Sequence, residues 1–189
     1  MQAAVQLDFV SVEDYLAGEE HSEVRHDYIG GAVYAMAGGT TEHNQIVGGL
    51  YSALRTHLRG KPCRVFMENV KVRLKISGED IFYYPDVMVG CDPRDTDSLF
   101  LRFPKLLIEV LSEATERLDR REKRWSYQTI ETLDEYVLVA QDRIEVTIFR
   151  RANEWQPEVL NRLDQVARFV SLDFSLPLAA IYEGVRGPA

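Results

Sequence analysis

A nearly continuous apolar run over residues 105–111, with one carboxylate inside it, constrains the fold of this chain more than any other feature. Such a run is typical of a β-strand buried on both faces of a sheet. With a period of two, Leu107, Glu109 and Leu111 share one face of this strand. The buried carboxylate of Glu109 must then be paired, hydrogen-bonded or bound to a metal, because its desolvation is costly. The alternative is a strand at the edge or end of a sheet, with Glu109 pointing to solvent.

The rest of the chain alternates between helical and extended patterns. Apolar residues at helical spacing predict helices over residues 11–20, 40–58 and 115–129, and a short one after residue 177. Extended patterns predict a hairpin over 28–36 and strands over 64–76, 81–89, 105–111, 135–140, 144–150 and 155–160. This order predicts a mixed α/β or α+β fold with one central sheet and helices on its faces. The length of 189 residues fits a single domain over residues 1–189.

The composition and the N-terminal sequence predict where the protein is located and whether its cysteines are free. No stretch reaches the ~18 apolar residues of a membrane-spanning helix, so no membrane partner is expected. The N-terminus lacks the basic and apolar regions of a signal peptide, which predicts a cytoplasmic protein. Cys63 and Cys91 are isolated and lie outside any CxxC motif, so we expect two free thiols.

The net charge of −8, from 22 basic and 30 acidic residues, argues at first against a nucleic-acid partner. The charge is uneven, however. Residues 1–30 carry seven acids and one arginine, and residues 79–99 carry six acids and one arginine. Residues 55–75 carry seven basic residues and one acid, and residues 117–124 carry five and two. The chain can therefore present a basic strand and helix against an acidic remainder, and its net charge does not exclude a nucleic-acid partner, for which we expect weak and salt-sensitive nonspecific binding.

A second acidic residue, Asp86, follows Pro85 and directly precedes a β-branched strand. One interpretation is that Asp86 caps a turn. The other depends on Glu109, because the sequence separation of 23 between the two acids leaves room for two adjacent strands and a loop. Acids that converge from neighbouring strands can hold a hard cation such as Mg²⁺, which prefers oxygen ligands.

Four polar residues recur at intervals of four after the Glu109 strand: Thr115, Asp119, Lys123 and Tyr127. On a helix this spacing places them on one face. The first turns of the helix lie near the end of the strand, where ligand sites of α/β proteins are common. The alternative is a solvated face on which Asp119 pairs with Lys123.

Other motifs are weak. His21 and His26 are five residues apart and have no matching pair that would complete a zinc site. His43 is interpreted as a polar residue at the start of the second helix. The chain contains no GxSxG, P-loop or GxGxxG motif.

These residues together resemble the Uma-type restriction endonuclease family, formerly a domain of unknown function, within the PD-(D/E)XK nuclease superfamily. The resemblance is carried by Tyr84-Pro85-Asp86, by the run from Pro104 to Leu111, and by Leu111-Ser112-x-x-Thr115-x-x-x-Asp119-x-x-x-Lys123-x-x-x-Tyr127. The hairpin His26-Asp27-Tyr28-Ile29-Gly30-Gly31 and the helix containing His43, Leu50 and Leu54 extend the resemblance over most of the chain.

The resemblance implies a restriction-endonuclease-like fold, a central mixed sheet flanked by helices. It also implies a metal-dependent endodeoxyribonuclease, in which Asp86 and Glu109 bind Mg²⁺, with Mn²⁺ as a substitute. Water activated by the metal would hydrolyse a DNA phosphodiester bond. A homodimer is expected for this superfamily.

The sequence departs from the superfamily pattern at Leu111, where a lysine normally follows the glutamate by two positions. The resemblance makes Lys123, from the following helix, the candidate to replace it and Asp27 a further acidic member of the site. Phosphates would be contacted by Arg120, Arg121 or Arg124. Two alternatives stay open: a weak or inactive nuclease-fold module that binds nucleic acid or dimerises, and a metal-free protein-interaction domain.

Overall fold

Helices and short strands alternate along the chain in this computed structural model, which describes residues 9–36, 38–112 and 116–187. The N-terminal half contains α1 (Val12–His21), β1 (His26–Ile29), β2 (Ala32–Ala35), α2 (Thr41–His57), β3 (Arg64–Met67), β4 (Lys71–Ile76), β5 (Glu79–Tyr83) and β6 (Val87–Gly90). The C-terminal half contains β7 (Phe100–Leu101), β8 (Pro104–Leu111), α3 (Glu116–Leu118), a π-helical turn (Asp119–Lys123), α4 (Arg124–Gln128), β9 (Glu135–Ala140), β10 (Val146–Arg150), β11 (Pro157–Leu160), β12 (Val166–Phe169), β13 (Phe174–Pro177) and α5 (Leu178–Ile181).

Two sheets share most of these strands. The six-stranded sheet has the order β11-β10-β9-β8-β6-β3 and is mixed, because β8 and β9 run parallel while their outer neighbours pair antiparallel. The five-stranded sheet has the order β2-β1-β5-β4-β7. The predicted mixed α+β class is confirmed, although the strands divide between two sheets where one central sheet was predicted.

Two chain breaks explain the division. Glu68 adopts a positive φ of 50°, which ends β3 in one sheet and sends β4 into the other. Pro85, between β5 and β6, lacks the N–H that would continue a strand ladder. The strand predicted over 64–76 is therefore β3 and β4, and the strand predicted over 81–89 is β5 and β6, with the two members of each pair in different sheets.

The strand β8 lies inside the six-stranded sheet and is buried on both faces, as predicted. Leu106, Ile108 and Val110 pack in a core with Ile46, Leu50 and Leu54 of α2. Leu107 and Leu111 face the opposite side, where they pack with Tyr127 and with residues of the five-stranded sheet. The edge-strand alternative for Glu109 is wrong, because Glu109 is only 2% exposed.

The predicted helices are present. α1 begins after Ser11, whose side chain accepts a hydrogen bond from the N–H of Asp14 as an N-cap. α2 begins after Thr40, which caps it through the N–H of His43. The helix predicted over residues 115–129 is α-helical at both ends and π-helical in between, and the predicted position of Thr115 lies outside the described residues.

Cys63 and Cys91 form a disulfide, so the prediction of two free thiols is wrong. The cause is strand pairing, because Arg64 of β3 lies opposite Gly90 of β6. The cysteines are the next residues outward on these two strands, and their Cα atoms are 4.1 Å apart. Within the described ranges, no helix has the length and apolar character needed to cross a membrane.

Candidate active site

A cavity of about 650 Å³ lies where β6, β8 and the helical segment 116–128 meet. Its lining is strongly acidic and includes Glu23, Glu68, Asp86, Glu109 and Asp119. The cavity also reaches the loop before α2, through Gly38, Gly39 and Thr40. Both acids that the sequence singles out, Asp86 and Glu109, therefore line one cavity.

The placement of Asp86 follows from the pairing of β6 with β8, in which Val87 lies opposite Ile108. Its Oδ2 accepts a hydrogen bond of 2.6 Å from the N–H of Val110. The same oxygen lies 3.2 Å from Nε2 of His43, at the start of α2. Asp86 thus contacts both β8 and α2, so the interpretation of Asp86 as a turn cap does not account for its contacts.

Glu109 is held by two side chains of the helical segment 116–128. Its Oε1 accepts a 2.8 Å hydrogen bond from the hydroxyl of Tyr127 and a 3.2 Å bond from Nζ of Lys123. Nζ of Lys123 also lies 3.2 Å from Oδ1 of Asp119. Asp119, Lys123 and Tyr127 share the predicted face, but they are buried, so the alternative of a solvated face does not hold.

The electrostatics of this cluster reflect burial and an excess of carboxylates. Burial raises the pKa of Glu109 well above its usual value, and the ammonium of Lys123 offsets this only in part. Burial alone would lower the pKa of Lys123, but Glu109, Asp119, Asp27 and Asp86 together hold it well above its usual value. Lys123 therefore stays protonated, and the cluster binds protons more tightly than its members do in water.

Asp27, the further acidic residue suggested by the resemblance, lies on β1 beside the cavity. Its Oδ1 accepts a 3.2 Å hydrogen bond from the N–H of Tyr84, two residues before Asp86. Burial raises its pKa, although the nearby Lys123 and the bond from Tyr84 lower it. Asp27 thus anchors the backbone that leads to Asp86, and Tyr84 rather than Asp27 lines the cavity.

The three arginines predicted to contact phosphates lie away from this cavity. Arg120 forms ion pairs with Glu116 at 2.8 Å and Glu145 at 2.6 Å. Arg124 packs over the ring of Phe149, and both arginines line a separate depression beside β10 and β11. Arg121 is exposed on the opposite side of the helical segment 116–128 from Lys123. Their role in binding phosphates stays a prediction.

Sequence reasoning did not single out Arg25, interpreted His43 only as a polar residue at the start of a helix, and assigned no role to Tyr127. Arg25 and His43 line the cavity, and Tyr127 holds Glu109. The Thr40 N-cap was a signal for His43, because it fixes where α2 begins and aims the first turn at Asp86. No local motif marks Arg25, since its place depends on contacts with α1 and with the connection between β3 and β4.

The donors present suit a hard cation held partly by water. In the described residues, no three or more His, Cys, Asp or Glu side chains are grouped so as to hold a metal. Mg²⁺ does not need such a cage, because one or two carboxylates, waters and substrate phosphates commonly complete its shell. Asp86 and Glu109 offer that pair of carboxylates, in a cavity where negative charge is in excess.

Comparisons with known proteins identify the family of the chain. Residues 12–179 match the family model described as "Uma2: Putative restriction endonuclease". The uncharacterized protein slr1290 of Synechocystis sp. is 33% identical over 178 residues, covering 93% of each chain. A second Synechocystis protein, sll1609, also uncharacterized, is 28% identical over 159 residues and covers 82% of this chain and 89% of its own.

A solved structure shares the fold. It is the crystal structure of "a putative nuclease belonging to DUF820" from Anabaena variabilis, with a TM-score of 0.75 and 18% sequence identity. The alignment covers 92% of this chain and 98% of that chain. The family match spans most of the chain, and the 33% identical relative aligns along nearly its whole length. The chain therefore belongs to the Uma2 family, whose model is described as "Putative restriction endonuclease".

Proposed function

We propose that this protein is a Mg²⁺-dependent endonuclease that hydrolyses DNA phosphodiester bonds. The observation that carries the proposal is the convergence of Asp86 and Glu109, from neighbouring strands, with the ammonium of Lys123 in one cavity. These are the residue types of a PD-(D/E)XK site, with the lysine supplied by the following helix. Membership in a family described as restriction endonucleases supports DNA as the substrate class.

Charge balance supports a divalent cation. The carboxylates of Asp27, Asp86, Glu109 and Asp119 all act on the ammonium of Lys123, so the cluster is strongly negative when they are ionised. Asp86 and Glu109 would hold the ion. Bound Mg²⁺ would supply Lewis-acid chemistry, polarising a phosphodiester and lowering the pKa of a water molecule.

The chain's own side chains then have separate tasks. Tyr127 fixes the orientation of the Glu109 carboxylate, and His43 does the same for Asp86, as partners of metal ligands commonly do. Lys123, kept protonated by the surrounding carboxylates, donates hydrogen bonds and stabilises the negative charge that develops on phosphate oxygens. Lys123 would supply the ammonium group that the superfamily lysine provides and that Leu111 lacks, which argues against the inactive-module alternative.

The test is cleavage of supercoiled plasmid by the purified protein in MgCl₂, in MnCl₂ and in EDTA. Nicked or linear DNA is expected with either metal and not with EDTA. Asp86→Asn and Glu109→Gln should each abolish cleavage, because each removes one of the two acidic ligands. Calorimetry with MnCl₂ should show binding that the Glu109→Gln variant loses.

A matched control is Asp164→Asn, which removes an exposed carboxylate paired with Arg162. This variant should cut DNA as the wild type does. Undiminished cleavage by folded Asp86→Asn and Glu109→Gln proteins would refute the assignment of the site. A wild-type protein that binds Mn²⁺ and DNA but never cuts would favour the non-catalytic module.

A further inference from the structure

The cations that line the acidic cavity differ in their partners. Lys123 is paired with Glu109 and Asp119, and His43 lies against Asp86. Arg25 is the third cation, and of these three it is the one with no carboxylate within 4.0 Å in the described parts of the chain. Its charge is therefore uncompensated by an ion pair, in a protein whose net charge is −8.

Neutral groups hold the guanidinium of Arg25 in place. Its Nη1 donates to the main-chain oxygens of Glu19 at 3.1 Å and Ser22 at 3.4 Å, at the C-terminal end of α1. Its Nε donates to Oδ1 of Asn69 at 3.3 Å. These bonds orient the guanidinium without neutralising it, and Nη2 donates to no acceptor in residues 9–36, 38–112 and 116–187.

The contacts of Arg25 also tie it to the candidate metal site. Asn69 follows Glu68, whose N–H donates to the carbonyl oxygen of Asp86 at 3.2 Å. The backbone of Arg25 is fixed as well, because its carbonyl accepts a bond of 2.9 Å from the N–H of Met36. The guanidinium therefore lines the cavity next to the loop residues Glu68 and Asn69, and Glu68 is bonded to the backbone of Asp86.

We infer that Arg25 is a phosphate-binding residue of this cavity, contacting a backbone phosphate of the nucleic acid beside the bond that is cut. The inference rests on the proposed function and adds a substrate contact to it. A guanidinium held by neutral acceptors offers its free N–H groups and its full charge to a phosphate oxygen. Such a contact positions the strand without reading its sequence.

The competing explanation is that Arg25 only caps α1, since basic side chains commonly bind the last carbonyls of a helix. A cap needs hydrogen bonds but no net charge. Replacing arginine by glutamine keeps a donor and removes the charge, whereas lysine keeps the charge and loses the planar fork. A phosphate contact predicts that Arg25→Gln loses salt-dependent DNA binding while Arg25→Lys keeps it, whereas a cap alone predicts that neither substitution changes the salt dependence.

The experiment measures anisotropy of a short labelled DNA duplex with the full chain over a range of KCl concentrations. It is carried out in EDTA and again in CaCl₂, whose ion also takes oxygen ligands. One lost phosphate contact lowers the slope of log K against log salt by about 0.9. We expect Arg25→Gln to show that loss, with about tenfold weaker binding at low salt and a raised KM in MgCl₂. Arg25→Lys should keep the wild-type slope.

Arg168→Gln is the charge-matched control, because Arg168 is exposed on β12, lies outside the basic segments 55–75 and 117–124, and forms no ion pair with the described residues. It should leave the slope unchanged. A wild-type slope for folded Arg25→Gln, or an equal change in Arg168→Gln, would overturn the inference. Failure of the wild type to bind or cut DNA in any buffer would instead overturn the proposed function. DNA cleavage that is insensitive to Arg25→Gln would reject this contact alone.

Discussion

The two faces of the helical segment 116–128 each carry a basic and an aromatic residue, but these residues are buried on one face and exposed on the other. The inner face presents Lys123 and Tyr127 to Glu109, and all three are buried. The outer face presents Arg121 and Trp125, which are exposed, Trp125 by 67%. The difference comes from the neighbour that each face meets, because the inner face covers the strand that carries Glu109.

Buried charge is expensive unless every partner is present. On the inner face the partners belong to one cluster, so removing one leaves the others uncompensated. On the outer face water takes the place of any partner. The π-helical turn Asp119–Lys123 lies at this cluster, and such turns are frequently found at functional sites. The helical segment thus carries its candidate site residues on the buried face, where charged side chains cost the most free energy to desolvate.

The largest predicted contrast is between Lys123→Met and Arg121→Met in EDTA. Lys123→Met leaves the carboxylates of Glu109 and Asp119 buried without their cation, which should lower the free energy of unfolding by about 3–5 kcal/mol. Arg121→Met should change it by less than about 0.5 kcal/mol, as for most surface substitutions. Urea unfolding at neutral pH measures both values.

A double variant sharpens this contrast. Glu109→Gln removes one of the charges that Lys123 neutralises, so Lys123→Met should cost less in that background than in the wild type. Equal costs in the two backgrounds would mean that the inner face is stabilised by packing and not by its ion pairs. A loss in Arg121→Met as large as in Lys123→Met would remove the distinction between the faces.

An intermediate effect is expected for the aromatic residues of the same two faces. Tyr127→Phe removes the hydroxyl that donates to Oε1 of Glu109, and it should destabilise the protein by about 2 kcal/mol. Trp125→Phe alters an exposed ring and should cost less than about 0.5 kcal/mol. Thermal unfolding of these variants measures the losses. Tyr136→Phe, at a second buried tyrosine, tests whether a hydrogen bond to a carboxylate stabilises the protein more than one to a main-chain oxygen. Because Tyr136 donates to the main-chain oxygen of Asp119, its loss should be smaller.

The sequence predicted the strand carboxylates well because local pattern determined them. The apolar run around Glu109 and the proline before Asp86 specify a buried strand and a strand start, whatever the rest of the chain does. The interval of four residues likewise placed Lys123 and Tyr127 on one face. These features predicted that Asp86 and Glu109 could converge, whereas the place of Lys123 beside them was implied by the family resemblance and no contact of Tyr127 was predicted. The sequence alone also left open whether the shared face of the helix is buried or solvated.

Other features depend on contacts between distant segments, and periodicity does not report those. The division into two sheets follows from two breaks, of which Pro85 is visible in the sequence but the positive φ of Glu68 is signalled by no turn motif. The Cys63–Cys91 disulfide follows from the register of β3 against β6. The predicted role of Arg120 rested on local charge alone, whereas the structure pairs it with Glu145 of a different segment.

The smallest predicted effect concerns the ion pairs on the flank of the same helical segment. Hydrogen bonds from Arg120 and Arg143 lower the pKa of Glu116 below its usual value. For Glu145, burial alone would raise the pKa, but the bonds from Arg143 and Arg120 outweigh it and lower the pKa. A carboxylate with a lowered folded-state pKa adds stability above its unfolded pKa, and that stability is lost as the pH falls through the folded pKa.

Arg143→Gln should therefore lower the free energy of unfolding by less than about 1 kcal/mol at neutral pH, because these pairs are partly exposed. The difference from the wild type should shrink towards zero in acid, as Glu116 and Glu145 become protonated. Urea unfolding at neutral and acidic pH measures this, with Arg162→Gln as the control for a fully exposed pair. A difference that persists in acid would show that Arg143 stabilises the protein by packing. The flank would then differ from the inner face, whose stability is expected to depend on ion pairs.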